Sequence, residues 1–211
     1  AVSLEEMSSV SLMNRIDTKF VTDVGRLRNV LEDALEAGYR VCEISGQRLM
    51  SYASVYYDTP DLKMYTAHRN GKKTRQKVRV RTYLIDNESF LEIKRKNNRG
   101  RTKKKRIGIP NDKVMSFGSV PDAAVFLEKK SWWKVSDLTP ETTTDFCRFT
   151  LVNKAMTERL TIDVNLSFHN FRSGQSASLG DFVIIELKQD GRVESDMRRI
   201  LLRHRVFPYR I

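Results

Sequence analysis

Lysine and arginine alternate with apolar residues along several short stretches of this sequence. The clearest stretch is Lys77-Val78-Arg79-Val80-Arg81, in which a cation occupies every second position. Successive side chains of a β-strand point to opposite faces of its sheet, so this stretch predicts a strand with one cationic and one apolar face. A chain built from such strands is constrained to a sheet whose two faces differ in chemistry.

The same alternation recurs in four other predicted strands. Their polar faces carry Arg15, Asp17 and Lys19; Glu92, Lys94 and Lys96; Arg159, Thr161, Asp163 and Asn165; and Glu186 and Lys188. Three of these strands repeat an acid-x-Lys pattern that places a carboxylate and a lysine on one face. A solvated outer face would explain a single strand of this kind, but outer surfaces usually mix their charges more evenly. Five strands with the same bias favour an enclosed basic site for phosphate, in which carboxylates hold a divalent metal ion.

The remaining periodicity predicts a sheet accompanied by a few helices. Strands are predicted at Asn14–Val21, Leu49–Tyr57, Arg75–Ile85, Ser89–Lys96, Thr102–Ile109, Phe146–Val152, Arg159–Phe168 and Phe182–Lys188. Helices are predicted at Asp23–Ala37, near Pro121–Trp133 and at Ser195–Arg203. Thr22 is the expected N-cap of the first helix, and Gly38 is its expected stop. We therefore predict an α+β fold on an antiparallel sheet or barrel, formed by one domain over residues 1–211.

One predicted hairpin fixes which charges face each other. If residues 98–100 form a three-residue loop, Gly100 supplies the left-handed position that such loops favour. This register places Lys94 opposite Lys104, and a two-residue loop would still pair Lys94 with a lysine. Like charges directly opposite each other are destabilising, so we expect an anionic group to compensate them.

The overall charge indicates the class of ligand. Lys and Arg number 38 against 26 for Asp and Glu, which gives a net charge of +12. This excess favours a polyanionic partner, which could be nucleic acid, an anionic membrane surface or a phosphate-rich small molecule. Cys42 and Cys147 are far apart, and the three histidines His68, His169 and His204 are isolated. We therefore expect neither a disulfide framework nor a zinc site, and we expect a reducing compartment.

Six motifs along the chain together resemble a known family. They are Arg15-x-Asp17-x-Lys19-Phe20, Val55-Tyr56-Tyr57-Asp58-Thr59-Pro60, Lys77–Tyr83, Leu91–Lys96, Arg159–Asp163 and Ile185–Lys188. In this order they resemble the VTC domain, the polyphosphate polymerase branch of the CYTH-like triphosphate tunnel metalloenzymes. The resemblance runs from about Asn14 to the C-terminus. It implies an eight-stranded antiparallel tunnel with helices packed on its outside.

The resemblance also implies a reaction, a cofactor and a set of site residues. The reaction is transfer of the γ-phosphate of ATP to a growing polyphosphate chain, with Mn²⁺ or Mg²⁺ as cofactor. The expected phosphate-binding residues are Lys19, Arg79, Arg81, Lys94, Lys104, Arg106, Arg148, Arg159 and Lys188. Four of them are also expected to act in catalysis, namely Arg79, Arg81, Lys94 and Arg159. Glu186 is the expected metal ligand, and Glu92 and Asp163 are the second choices.

Several alternatives stay open at this point. The same fold could hydrolyse a triphosphate, although Arg15 stands where the sister hydrolases have an acid, or it could bind polyphosphate without turnover. The basic run Arg101–Arg106 allows nucleic-acid binding, but it fits better as one strand of the hairpin. The expected ligands are ATP and polyphosphate or triphosphate, without a specific nucleic acid. The expected location is cytoplasmic, with a peripheral place at a membrane and a membrane partner protein as further options; the oligomeric state is open.

Overall fold

The computed structural model describes residues 1–3, 5–6, 15–191 and 194–210, with the side chain of Arg15 left out. The strands are β1 (Arg15–Asp23), β2 (Arg40–Val41), β3 (Met50–Asp58), β4 (Arg75–Tyr83), β5 (Glu88–Lys96), β6 (Thr102–Ile109), β7 (Thr139–Val152), β8 (Glu158–Asn170), β9 (Ser176–Ser178) and β10 (Phe182–Asp190). The helices are α1 (Val24–Glu36), α2 (Lys63–Arg69), α3 (Pro121–Lys130) and α4 (Asp196–Arg203). The described residues thus form a mostly antiparallel α+β fold, as predicted.

The contacts within the chain define two compact units. The first comprises Ala1–Met50, Phe146–Leu166 and Ser178–Ile211, and the second comprises Ser51–Asp145 and Ser167–Ala177. Each unit contains its own hydrophobic core. The prediction of a single domain over the whole chain stays a prediction.

In the first unit, helices α1 and α4 cover the apolar face of a sheet with the strand order β1-β10-β8-β7. Phe20, Ile162 and Ile185 project from this face and are fully buried. They pack with Leu27 of α1 and Leu201 of α4. Burial of one such side chain contributes about 1.5–3 kcal/mol, so the helices are held mainly by this apolar contact.

A buried carboxylate fixes the start of α4 in the same unit. Glu158 accepts hydrogen bonds from the hydroxyl groups of Tyr39 and Ser195, and from the backbone N–H of Met197 at 3.4 Å. Burial raises the pKa of this carboxyl, and the hydrogen bond from Ser195 partly offsets the effect. Ser195 is the N-cap of α4, so Glu158 positions the residue that begins the helix.

In the second unit, β3, β4, β5 and β6 lie side by side in this order. The apolar side chains of β4 and β5, including Val78, Val80 and Leu91, are fully buried. Helix α3 covers them through Ala123 and Leu127. The opposite face of these strands is therefore the polar one, as the alternation predicted.

The register predicted for the β5–β6 hairpin is confirmed. Lys94 pairs with Lys104, and Glu92 pairs with Arg106. Gly100 has a φ of +78°, a conformation that favours glycine, and its N–H donates to the carbonyl of Asn97 at 3.1 Å. The loop therefore has three residues, and the like charges meet as expected.

Two local predictions were wrong. Thr22 is not the N-cap of α1, because it still pairs with Val183 in the sheet. The cap is Asp23, whose carboxylate accepts the N–H of Arg26 at 2.9 Å. Leu84 was expected on the apolar face, but β4 ends at Tyr83 and Leu84 is 52% exposed. The predicted stop at Gly38 is confirmed by its φ of +79°, and Asn14, the predicted start of the first strand, lies outside the described residues.

The motif after β3 has a structural role that the sequence did not indicate. The N-cap position of α2 is Leu62, whose side chain cannot accept a hydrogen bond. The carboxylate of Asp58 instead accepts the N–H groups of Met64 and Tyr65, at 2.9 and 2.7 Å. The hydroxyl of Thr59 accepts the N–H of the first helical residue at 3.0 Å. The Asp-Thr pair thus replaces the missing cap and satisfies three donors that a short helix leaves unpaired.

We expect Asp58→Ala to lower the free energy of unfolding by about 3 kcal/mol, because it leaves two helical N–H groups of α2 and that of Thr59 without their charged acceptor. Urea unfolding followed by circular dichroism measures the change. Asp61→Ala is the matched control, since that carboxylate is exposed and pairs only at the surface with Lys63. Equal losses in the two variants would contradict the capping role of Asp58.

Candidate functional site

The polar face of the second unit carries rows of cations that run across neighbouring strands. Lys77 of β4, Lys94 of β5 and Lys104 of β6 lie directly opposite one another and form one row. The next row towards the hairpin end pairs Arg75 with Lys96. Adjacent like charges in register are destabilising, so this arrangement favours an anionic ligand that lies across the strands.

A buried carboxylate stands in the row beside the three lysines. Glu92 is 1% exposed, and its Oε2 atom accepts from the Nε and Nη2 atoms of Arg79 at 2.8 and 2.6 Å. Its Oε1 atom pairs with the ammonium of Lys104. Arg79 also donates from Nη1 to the hydroxyl of Tyr56 at 3.0 Å. Both guanidinium edges of Arg79 are therefore fixed by partners on the two neighbouring strands.

The electrostatics of Glu92 follow from this contact set. Burial raises the pKa of the carboxyl, but Arg79 and Lys104 outweigh it and hold the pKa below its ordinary value of 4.5. Glu92 is therefore ionised at neutral pH and occupied by cations on both oxygen atoms. This geometry fits a residue that orients Arg79 and Lys104 better than it fits a metal ligand.

Aromatic side chains hold the arginines at the other end of this face. The Nε atom of Arg81 donates to the hydroxyl of Ser54 at 3.0 Å, and its guanidinium lies 5.2 Å from the ring centroid of Tyr52. Arg106 lies 4.3 Å from the ring centroid of Phe90. Stacking of this kind restricts the planar guanidinium and leaves its edges available for bidentate contacts to phosphate.

The polar face of the first unit is built on β1, β10, β8 and β7. One row across it contains Lys19, Glu186 and Thr161. The next row contains Asp17, Lys188 and Arg159. The ammonium of Lys188 pairs with Glu186 and lies 3.4 Å from the hydroxyl of Thr161. Lys188 and Arg159 face each other with like charges, which again favours an anionic ligand.

Arg148 and Asp163 form a bidentate ion pair on this face. The Nε and Nη2 atoms of Arg148 donate to the two oxygens of Asp163 at 2.5 and 2.7 Å. The guanidinium also lies 5.2 Å from the ring centroid of Phe146. Because Arg148 engages both oxygen atoms, Asp163 fits a positioning role for the arginine better than metal binding.

Glu186 differs from the other two carboxylates named as metal ligands. Burial raises its pKa, but Lys188 and then Lys19 and Arg148 hold the pKa below its ordinary value of 4.5. Burial lowers the pKa of Lys188, and the neighbouring Glu186 opposes this shift. Glu186 is thus an ionised carboxylate with 24% of its side chain exposed, paired through one oxygen to a single lysine.

The donor set decides how a divalent ion would be held. Within the described residues, no group of three or more histidine, cysteine or acidic side chains could hold a metal ion. Mg²⁺ is commonly bound by one or two carboxylates together with the phosphates of a substrate. Glu186, a hard and partly exposed oxygen ligand, fits a metal ion that binds together with a phosphate ligand.

The predicted site residues fall into two groups, one in each unit. Arg79, Arg81, Lys94, Lys104, Arg106 and Glu92 share the polar face of the second unit. Lys19, Arg148, Arg159, Lys188, Asp163 and Glu186 share that of the first. Ser54, Tyr56 and Tyr52 were missed, although their alternation along β3 could have placed them on the same face. The roles of all these residues in ligand binding stay predictions.

Fold and site together define an α+β protein whose antiparallel strands carry ordered cations and isolated carboxylates on one face. HpAC1 from Hippeastrum, a candidate adenylyl cyclase whose structure revealed a dominant triphosphatase activity, shares this fold with a TM-score of 0.56. The two chains are 14% identical over 91% of this chain and 88% of HpAC1.

Two further solved structures are similar at lower scores. A candidate adenylate cyclase from Vibrio parahaemolyticus is 12% identical over 90% of this chain and 83% of its own, with a TM-score of 0.48. The PH1819 protein from Pyrococcus horikoshii is 14% identical over 92% of each chain, with a TM-score of 0.46. No curated protein is significantly similar in sequence.

The sequence family is more specific than the fold. A family model of the VTC domain matches residues 14–210, so the chain belongs to the VTC domain family. The resemblance drawn from the six motifs is thereby confirmed. None of the described helices is long and apolar enough to cross a membrane.

Proposed function

We propose that this VTC domain is a metal-dependent polyphosphate polymerase that transfers the γ-phosphate of ATP to a growing polyphosphate chain. The proposal includes closure of the eight strands of eight or more residues into a tunnel that encloses both polar faces. A terminal phosphate oxygen of the chain attacks the γ-phosphorus, and the bond to the β–γ bridging oxygen breaks. ADP leaves with that electron pair, so the polymer gains one phosphate.

The length of the cation rows carries this proposal. Residues on one face of a strand repeat about every 7 Å, so the face of β4 from Arg75 to Arg81 spans about 20 Å. Each of its four polar positions lies in a row with at least one cation: Arg75, Lys77, Arg79 and Arg81. A triphosphate has three phosphate groups and is much shorter than this ladder. The ladder therefore fits a polymer better than a short substrate.

The side chains suit phosphoryl transfer by positioning and charge stabilisation, which is the main catalytic need of this reaction. Arg79, Arg81, Lys94 and Arg159 would neutralise charge on the reacting phosphates, and Glu92 fixes Arg79 for that task. Glu186 would hold the Mn²⁺ or Mg²⁺ ion, which supplies charge neutralisation at the phosphate oxygens when bound.

Two other outcomes remain within the same fold. HpAC1 shows triphosphatase activity, so hydrolysis with water as the acceptor is the first alternative. A polyphosphate-binding domain without turnover is the second. Incubation with ATP and Mn²⁺ separates the three: polymerisation yields long polyphosphate and ADP, hydrolysis yields inorganic phosphate without chain growth, and a binding domain yields neither.

The ladder itself can be tested by its dependence on chain length. We expect the double variant Lys77→Ala and Lys94→Ala to weaken binding of long polyphosphate at least about tenfold, since each charged contact contributes about 1.5–3 kcal/mol. Binding of tripolyphosphate should fall less, because a short ligand can occupy other rows. Titration calorimetry with both ligands measures the difference. The double variant Lys63→Ala and Lys154→Ala removes two exposed lysines elsewhere and should bind both ligands normally. Equal losses for both ligands would contradict the ladder.

A further inference from the structure

A second basic surface lies on the face of the hairpin opposite the candidate site. Arg95 of β5 pairs with Lys103 of β6, and Lys105 follows on the same face. All three side chains are exposed. Their parity is opposite to that of Lys104 and Arg106, so the phosphate site proposed above does not use them.

The end of α3 extends this surface. Lys129 and Lys130 form its last turn and are exposed. The chain then presents Trp132, whose side chain is 46% exposed. Its backbone N–H donates to the Oε1 atom of the buried Gln76 at 3.0 Å, and its ring centroid lies 4.8 Å from the guanidinium of Arg95. Trp132 is therefore held against the sheet rather than folded into the core.

We call the surface formed by Arg95, Lys103, Lys105, Lys129, Lys130 and Trp132 the outer basic patch. It carries five cations, and the exposed Glu128 of α3 is its nearest acid along the chain. Among the described residues, none of the five cations forms an ion pair. The patch thus combines unneutralised positive charge with a large exposed indole.

We propose that the outer basic patch docks the protein on an anionic lipid surface. Basic clusters are attracted to the anionic headgroups of a membrane. Tryptophan is enriched at the level of the headgroups, because its ring is apolar and its N–H is polar. The patch provides both parts of this chemistry on one side of β5, β6 and α3, where Lys103 and Lys105 flank the position of Arg95.

Edge protection, nucleic acid and soluble polyphosphate each account for only part of the patch. Lysines on β6 would protect an edge strand from pairing with another sheet, but this does not explain Trp132 or the end of α3. Single-stranded nucleic acid is usually bound by successive aromatic rings, and the patch has one. Soluble polyphosphate has no apolar group that would gain from contact with the indole. A lipid surface uses every component.

Vesicle flotation tests the proposal on the full chain. We expect binding to phosphatidylcholine vesicles that contain phosphatidylserine and none to vesicles of phosphatidylcholine alone. The double variant Lys103→Glu and Lys105→Glu should lower the partition coefficient at least about tenfold. The control Lys154→Glu and Arg198→Glu makes the same change in net charge at exposed residues of the other unit and should bind like the wild type.

The chain has two tryptophans, which provides a second and independent measurement. In the Trp133→Phe variant, Trp132 is the sole reporter, and its fluorescence should shift to the blue on phosphatidylserine vesicles. In the Trp132→Phe variant, the remaining Trp133 is partly buried in the core and should not shift. Circular dichroism confirms that both variants are folded.

Three results would overturn the proposal. The first is equal vesicle binding by the charge-reversed and control variants. The second is an unchanged Trp132 spectrum on vesicles that bind the protein. The third is competition at the patch by single-stranded nucleic acid or soluble polyphosphate without any vesicle binding, which would assign the patch to a soluble polyanion.

Discussion

Glu186→Gln is expected to lower metal-dependent turnover of ATP at least about a hundredfold, because it removes the carboxylate that would hold the divalent ion. The amide keeps the shape of the side chain, so the fold should be retained. The pKa of Glu186 is held below its ordinary value, so the wild-type group is ionised at neutral pH and the substitution removes a full charge. Turnover is measured by ADP release, and Mn²⁺ binding in the presence of tripolyphosphate is measured by calorimetry.

Asp181→Asn is the matched control for this prediction. Asp181 immediately precedes β10, the strand that carries Glu186, and its side chain is exposed. This variant should keep both turnover and Mn²⁺ binding. Undiminished Mn²⁺ binding by the folded Glu186→Gln protein would exclude Glu186 as the metal ligand, whether the protein polymerises or hydrolyses its substrate.

Glu92→Gln is expected to lower the free energy of unfolding by about 3–5 kcal/mol at neutral pH, because it leaves Arg79 without its buried counter-charge and Lys104 without its partner. The pH dependence follows from the lowered pKa of Glu92. Its stabilising contribution is present above the pKa of the unfolded glutamate, near 4.5. It is lost as the pH falls through the lower pKa of the folded state.

Urea unfolding at neutral and at acidic pH checks this second prediction. The wild type should lose stability on acidification below about pH 4.5 more steeply than Glu92→Gln. Glu88→Gln, at the exposed start of the same strand, should change the free energy of unfolding by less than about 0.5 kcal/mol. A similar small effect of Glu92→Gln would show that the ion pairs of Glu92 contribute little to the fold.

The polar faces were predictable because the period of two leaves little freedom. Once Val78 and Leu91 must be buried, the residues on either side of them must face the other way. The three-residue loop ending in Gly100 then fixed the register of β5 and β6, and with it the meeting of Lys94 and Lys104. Here local rules were sufficient to give a feature of the tertiary structure.

The partners of the carboxylates were not predictable in this way. Asp163 and Arg148 lie on different strands, and no local spacing indicates that they form a bidentate pair. The helix cap by Asp58 was missed because its acceptor precedes the helix by several residues instead of occupying the N-cap position. Thr22 and Asp23 are both good capping residues, and only the sheet pairing of Thr22 decides between them.

The contact set of Glu92 also constrains how this protein can change over time. One carboxylate on β5 serves as the counter-ion for Arg79 on β4 and Lys104 on β6, two residues far apart in the chain. A substitution accepted at one of these positions alters the cost of substitutions at the other two, since a buried charge without its partner is destabilising. The three positions therefore form one unit of epistasis, and the central strand records the history of both its neighbours.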